Sequence, residues 1–253
     1  MKKIVSILGV TVATTLMGAT ASVIAPVLNR PAYAAAPVPG ETIATDKIKD
    51  MTATLTVQEL NRSELRKIGG SFATTYSLKR MSVTYQNPNK ARFEAKVLGA
   101  SVLMVYNGDD RMWRIPGKSD KKNIYGQPGQ KQTLMDLGIF ARDYLKTDYQ
   151  PVYQRTENGL HVYKLVQRNT TNTSHEVVWV NPKTAIIEKR QSFNGDNKFI
   201  KELRFTNARQ VRPGIWVPGR VEIYNAEGKL GAAQSVDDVK INLGVDGSLF
   251  DIS

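Results

Sequence analysis

Apolar and polar positions alternate with period two through most of the chain. The clearest run is residues 87–117 (NPNKARFEAKVLGASVLMVYNGDDRMWRIPG). Ala91, Phe93, Ala95 and Val97 alternate with Arg92, Glu94 and Lys96. That spacing gives one apolar and one charged strand face. Leu98-Gly99-Ala100 is a turn. Val102 to Tyr106 is apolar at almost every position, as in a strand covered on both sides. Asn107-Gly108 tolerates positive φ and makes a tight turn. Met112 to Ile115 then returns and stops at Pro116-Gly117. Three short antiparallel strands are predicted here.

The same rhythm runs on either side. Residues 41–50 predict a brief helix, and Met51 to Leu60 a strand in which Ala53, Leu55 and Val57 alternate with threonines. Gly69-Gly70 marks a turn, and Phe72 to Leu78 and Met81 to Tyr85 predict the next strand or pair. Lys118 to Lys131 is polar, Gly-containing and basic, and predicts a loop. Further strands are predicted at Val152 to Arg155, Leu160 to Gln167, Val177 to Val180, Ile186 to Phe193, Phe199 to Thr206, Trp216 to Tyr224 and Ser235 to Leu243. Hairpin-type turns separate them with no helices between, which means an antiparallel meander.

One amphipathic helix interrupts the strands, predicted over Thr133 to Lys146. Thr133 can cap it, with Asp136 at the third helical position. Leu134, Leu137, Ala141, Tyr144 and Leu145 form one stripe with Phe140 beside it, opposite Asp136, Arg142, Asp143 and Lys146. Such a helix must lie on the sheet, completing the core or covering a cavity. The class is therefore α+β.

The first 34 residues change the compartment. Lys2 and Lys3 precede an uncharged stretch from Ile4 to Leu28, and Ala32-Tyr33-Ala34 fits a cleavage pattern, with Ala34-Ala35-Ala36 a second option. This reads as a secretory signal peptide, with an uncleaved membrane anchor as the alternative. Residues 35–44 are a linker, and 45–253 a single domain. The expected location is the periplasm or extracytoplasmic envelope. No cysteine is present, so the exported chain is held by its core alone. Without Lys2, Lys3 and Arg30 the formal charge falls from +12 to +9. That surface would be drawn transiently to anionic membrane, or is a soluble surface with surplus lysine.

Composition adds little catalytic chemistry. His161 and His175 have no His or Cys neighbours with which to share a metal. No Gly-x-Ser-x-Gly elbow occurs, and residues 126–131 lack phosphate-loop spacing. Asp109-Asp110 and Asp237-Asp238 are adjacent pairs, and neighbours on a strand face opposite ways. No enzyme activity, metal or cofactor is expected. The basic residues are spread along the chain without a nucleic-acid motif, so nucleic acid is not an expected partner.

The order of several weak motifs is more specific. Pro88, Arg92 and Phe93 on one strand, then an apolar strand, then Asn107, Gly108 and Trp113 resemble the core of periplasmic lipoprotein carriers, the LolA-like outer-membrane lipoprotein-sorting group. The run from Val178 to Thr184, the turn from Phe193 to Gly195, the run from Gly214 to Pro218 and the tail from Asn242 to Phe250 follow the same group's pattern. The resemblance implies a strongly curved antiparallel sheet, an incomplete β-barrel, with a helical lid over an apolar cavity. It implies lipoprotein acyl chains or lipids as cargo, a monomer, and an inner-membrane transporter or other envelope protein as partner. The carriers place a basic residue before the proline of the second motif to latch the lid. Asn87 stands there, so neither latch nor handover partner carries over. Relatives that act as envelope sensors supply the alternative function, a regulatory module for a membrane-protein partner.

The apolar strand faces nominate Phe93, Val97, Met104, Trp113, Phe205, Val221 and Ile223 as cavity lining, with Leu137, Phe140 and Tyr144 facing them from the helix. Ordinary core is the alternative reading of each, and for any single one the stronger.

Overall fold

The structure, a computed structural model, describes residues 38–252 except 169, 170 and 172. The expected signal segment and the first residues of the linker lie outside the described residues.

Fifteen strands are described. The first six are β1 (Asp50–Leu60), β2 (Arg80–Gln86), β3 (Lys90–Val97), β4 (Ala100–Asn107), β5 (Asp110–Ile115) and β6 (Lys118–Asn123). Then come β7 (Tyr149–Glu157), β8 (Leu160–Gln167), β9 (His175–Asn181), β10 (Ile186–Phe193) and β11 (Phe199–Thr206). The last are β12 (Arg209–Arg212), β13 (Ile215–Val217), β14 (Arg220–Asn225) and β15 (Leu230–Ile241). The helices are short: α1 (Gly40–Ile43), α2 (Arg62–Ile68), α3 (Gly70–Thr75) and α4 (Arg142–Thr147).

Thirteen strands form one antiparallel sheet in the order β6-β5-β4-β3-β2-β1-β15-β14-β11-β10-β9-β8-β7, and β12–β13 is a separate hairpin. Strand β1 pairs with β15 from Met51↔Ile241 to Leu60↔Ala232, which joins two meanders into one sheet. Strands β6 and β7 follow one another in the chain yet occupy opposite edges. A flat sheet would hold β5 and β7 roughly 50 Å apart at about 4.8 Å per strand. Instead the Lys131 ammonium reaches Asp109 in the β4–β5 turn at 2.9 Å and Asp148 before β7 at 2.6 Å. The sheet is therefore bent nearly into a barrel but not closed. Bulges in β1, β10 and β15 supply local bends, and so long an open sheet curls in any case.

The concave face carries the core. Rows of paired residues run across it, such as Val83, Phe93 and Met104, or Arg190, Leu203 and Ile223. On the convex side the tail packs Phe250 against Val105 and Met112, with Val245 and Ile252 beside them. This accounts for the apolar run from Val102 to Tyr106, which is covered on both faces.

Four expectations are corrected. The predicted strand at Phe72 to Leu78 is helical: Asn61 caps α2 through a bond from the Glu64 amide at 3.4 Å, and α3 follows after Gly69. Leu65 anchors the pair on Ile223 and Ala232. Residues 118–123, read as loop, form edge strand β6, exposed along its whole length. Its lysines carry no apolar face to betray it, yet suit an edge that must resist pairing with other chains. Trp216 to Tyr224 is two strands, separated where the Gly219 amide donates to the Thr206 and Asn207 carbonyls, both at 3.0 Å.

The fourth concerns the single helix over Thr133 to Lys146. Thr133 and Asp136 do form a capping box, but the turn they start is a 3₁₀ segment, Leu134–Leu137. Gly138 ends it with φ 75°. A Cβ there would lie 2.5 Å from the Phe205 ring, so the chain is pressed onto β11 too closely to continue as a helix. Main-chain bonds then attach it to the sheet: Ile187 N–H to Gly138 C=O at 2.8 Å and Phe140 N–H to Ala185 C=O at 2.9 Å. Helix resumes only as α4. Tertiary hydrogen bonds and packing outweigh a continuous amphipathic pattern.

Candidate functional site

A cavity of about 570 Å³ lies between the concave face, α3 and the segment that crosses from β6 to β7. Its two sides differ in chemistry. Leu55, Met81, Phe93 and Met104 from β1–β4 give an apolar wall. Tyr85 and Tyr106 flank Phe93 edge-on, with centroids at 5.8 and 6.1 Å. Phe72 and Tyr76 come from α3 and the turn after it, and Leu137 from the crossing segment. The facing wall, β7–β11, brings Tyr149, Gln167, His175, Glu176, Arg190, Ser192 and Lys201.

Arg190 organises that polar wall. Its guanidinium holds Glu176 bidentately, at 2.8 and 2.7 Å, and donates to Asp136 at 3.0 Å and to the Met135 carbonyl at 3.3 Å. Sheet and crossing segment are thus tied through one nearly buried cation. Burial pushes the Asp136 carboxyl up, against the pull of Arg190. Such a cluster gains little net stability over apolar packing but is costly to break in part. Burial also raises the Tyr149 and Tyr85 hydroxyls well above their ordinary range and lowers the His175 imidazole and the Lys201 ammonium. His175 stacks on Phe193 at 4.9 Å. Asn87, at the expected latch position, donates to Asp143 of α4 at 3.1 Å.

Of the ten residues nominated from sequence, Phe93, Met104 and Leu137 line the cavity. The other seven do not. Phe140 stacks on Tyr163 at 5.6 Å and Tyr144 meets Tyr149 edge-on at 5.5 Å, both inside the core. Phe205 is a core residue against Gly138 of the crossing segment, and Val221, its cross-strand partner, belongs to the same core cluster. Ile223 is covered by α2. Trp113 continues the Phe93–Met104 row but is half-buried past the cavity, its indole N–H donating to Asp120 at 3.2 Å. Val97, 40 % exposed, ends the same face at a strand tip.

The polar wall was missed, and the cause is specific. Glu176 shares a strand face with Val178 and Val180, so a charge at an inward position was legible. Arg190 was not, because a bulge between Ile187 and Lys189 shifts which residues face inward. Among the described residues no group of three or more His, Asp or Glu side chains could hold a metal, and no helix is long and apolar enough to cross a membrane.

Residues 92–253 match a family described as uncharacterized protein, and the chain belongs to that family. No curated protein matches it. Its fold is LolA-like. The chain is similar to a domain described as outer-membrane lipoprotein-sorting from Vibrio parahaemolyticus, with TM-score 0.56 and 14% identity over 84% of this chain and 93% of that one. It is also similar to a LolA superfamily protein from Nitrosomonas europaea, with TM-score 0.52 and 17% identity over 84% and 94% of the respective chains.

Proposed function

We propose that this protein is an exported, non-catalytic carrier or binder of lipoprotein acyl chains or lipid within the cell envelope. Residues 45–253 would act as one domain after a signal segment ending near residue 34. The observation that carries this reading is the cavity of about 570 Å³ with one apolar wall under a LolA-like sheet. Its volume suits a ligand of drug or lipid size, for which about 300–1,000 Å³ is usual. Each methylene buried there contributes about 0.8 kcal/mol, so an acyl chain gains affinity with length.

In this reading α2 and α3 are the movable cover, and the crossing segment is a fixed partition. The basic surface favours transient contact with anionic membrane during loading and release. Protein purified from membranes under mild conditions is expected to carry acyl species in native mass spectrometry. Met104→Trp, which fills the apolar end, is expected to lose them while remaining folded. Absence of acyl species from the parent protein, together with no displacement of an apolar dye by long-chain amphiphiles, would sink the proposal. Crosslinking in the envelope that trapped one membrane protein and no lipoproteins would instead favour the sensor.

A further inference from the structure

The polar end of the cavity holds groups that its own neighbours do not satisfy. Lys201, on β11, lines the cavity beside Ser192 and lies 5.3 Å above the Phe72 ring. Its ammonium makes no ion pair among the described residues. On the β7–β8 side of the same cavity, the Tyr149 hydroxyl is buried and finds no hydrogen-bond partner, and the same holds for Gln167 Oε1. These two residues are a cross-strand pair at the edge of the sheet, and both line the cavity. A buried donor without an acceptor is costly and uncommon, and it points to a ligand or an ordered water. The Gln167 amide can turn either end toward such a ligand.

The charge balance points the same way. Three cationic side chains, Arg111, Arg190 and Lys201, line the cavity against two carboxylates, Asp136 and Glu176. Arg190 engages both carboxylates directly, and Lys201 neither. One positive charge is left over in a partly desolvated place, in the cavity that also holds an unused hydroxyl donor. Opposite lies the apolar wall of Leu55, Met81, Phe93 and Met104.

We propose that the cavity selects amphiphiles by an anionic head group, carboxylate or phosphate, held by Lys201 and the Tyr149 hydroxyl while the acyl chain lies on the β1–β4 wall. This rests on the carrier reading and narrows its cargo. A free fatty acid and a phosphate-headed lipid share that chemistry. A neutral acyl chain, or one with a cationic head, does not.

The test is displacement of an apolar dye from the purified protein by four probes of equal chain length: palmitate, monohexadecyl phosphate, hexadecanol and hexadecyltrimethylammonium. One or both anions are expected to bind about tenfold more tightly than hexadecanol, the increment of a charge-assisted hydrogen bond. Lys201→Gln should bring the anions down to the affinity of hexadecanol and leave hexadecanol unchanged. Lys201→Arg should keep the preference, which guards against a merely structural effect, and circular dichroism confirms folding. Preference for palmitate over the phosphate, or the reverse, assigns the source of the head group. Equal binding of all four probes, or an anion preference untouched in Lys201→Gln, overturns the head-group proposal and leaves the carrier reading standing. No binding by any probe overturns both.

Discussion

Two pieces of chain lie on the concave face, and they are held there in different ways. The segment between β6 and β7 is built into the core: Leu134, Met135, Leu137, Ile139, Phe140 and Leu145 are all buried. It is bonded to the sheet through the Gly138 and Phe140 main chain, to Thr45 of the segment before β1, and is clamped by Arg190. The α2–α3 pair rests on one fully buried side chain, Leu65, seated over Ile223, Ala232 and Gly231. No residue of α3 is buried, and its Phe72 is only half-buried over the cavity. Regions with few buried apolar contacts open at lower free energy than the core. The segment expected as the lid is packed into the core, and α2–α3, whose residues from Phe72 on were expected as a strand, is the more lightly anchored of the two.

The strongest way to break that contrast is at Arg190. Arg190→Met leaves buried Glu176 and half-buried Asp136 without their partner, and is expected to cost about 3–5 kcal/mol. Urea denaturation measures it, and a cost below the ordinary range of surface substitutions would show that the partition is not held by this clamp. Leu65→Ala is expected to cost about 2–3 kcal/mol, and its effect should be local. Hydrogen exchange should quicken across residues 62–76 and stay slow at 134–147. Equal loosening of both regions would remove the distinction between cover and partition.

The smallest effect sharpens the picture at Lys201. Burial holds its ammonium below the ordinary value of 10.5. The folded state therefore binds this proton less well than the unfolded chain. The native lysine is least costly above about pH 10.5, and it weakens the fold as pH falls through the lowered folded value. Lys201→Met is accordingly expected to raise the melting temperature by about 2–4 °C at pH 7. The gain should vanish above pH 10.5. A gain independent of pH would mean that packing rather than charge sets the cost. A stabilising substitution at the position proposed to hold the head group is what a functional charge predicts.

Much of the sheet was legible because its signal is local. Period-two patterns and Asn-Gly turns marked β3, β4 and β5 to within a few residues. The departures share one feature, dependence on partners far away in sequence. Strand β6 has no inward face to display, so only its pairing with β5 reveals it. Helix α3 sits in a Gly-, Ser- and Thr-containing stretch whose propensity does not favour helix, and it is held against the sheet through its neighbour α2, whose Leu65 finds its seat on β14 and β15. The site was less legible than the fold. The apolar pattern could not separate Phe93 and Met104, which lie on the cavity wall, from Phe205 or Val221, which lie in the core, because one face supplies both cavity and core.

What the sequence determined by itself was an antiparallel, α+β chain with an apolar face and turns at the right places, since side-chain alternation and turn chemistry act over a few residues. Which residues meet across the interior was decided only by the tertiary structure. The bend that brings Asp109 and Asp148 to the same lysine, the bulge that turns Arg190 inward, and the close contact of Gly138 with Phe205 are products of long-range packing. None of these has a local signature, because each exists only once distant strands have paired.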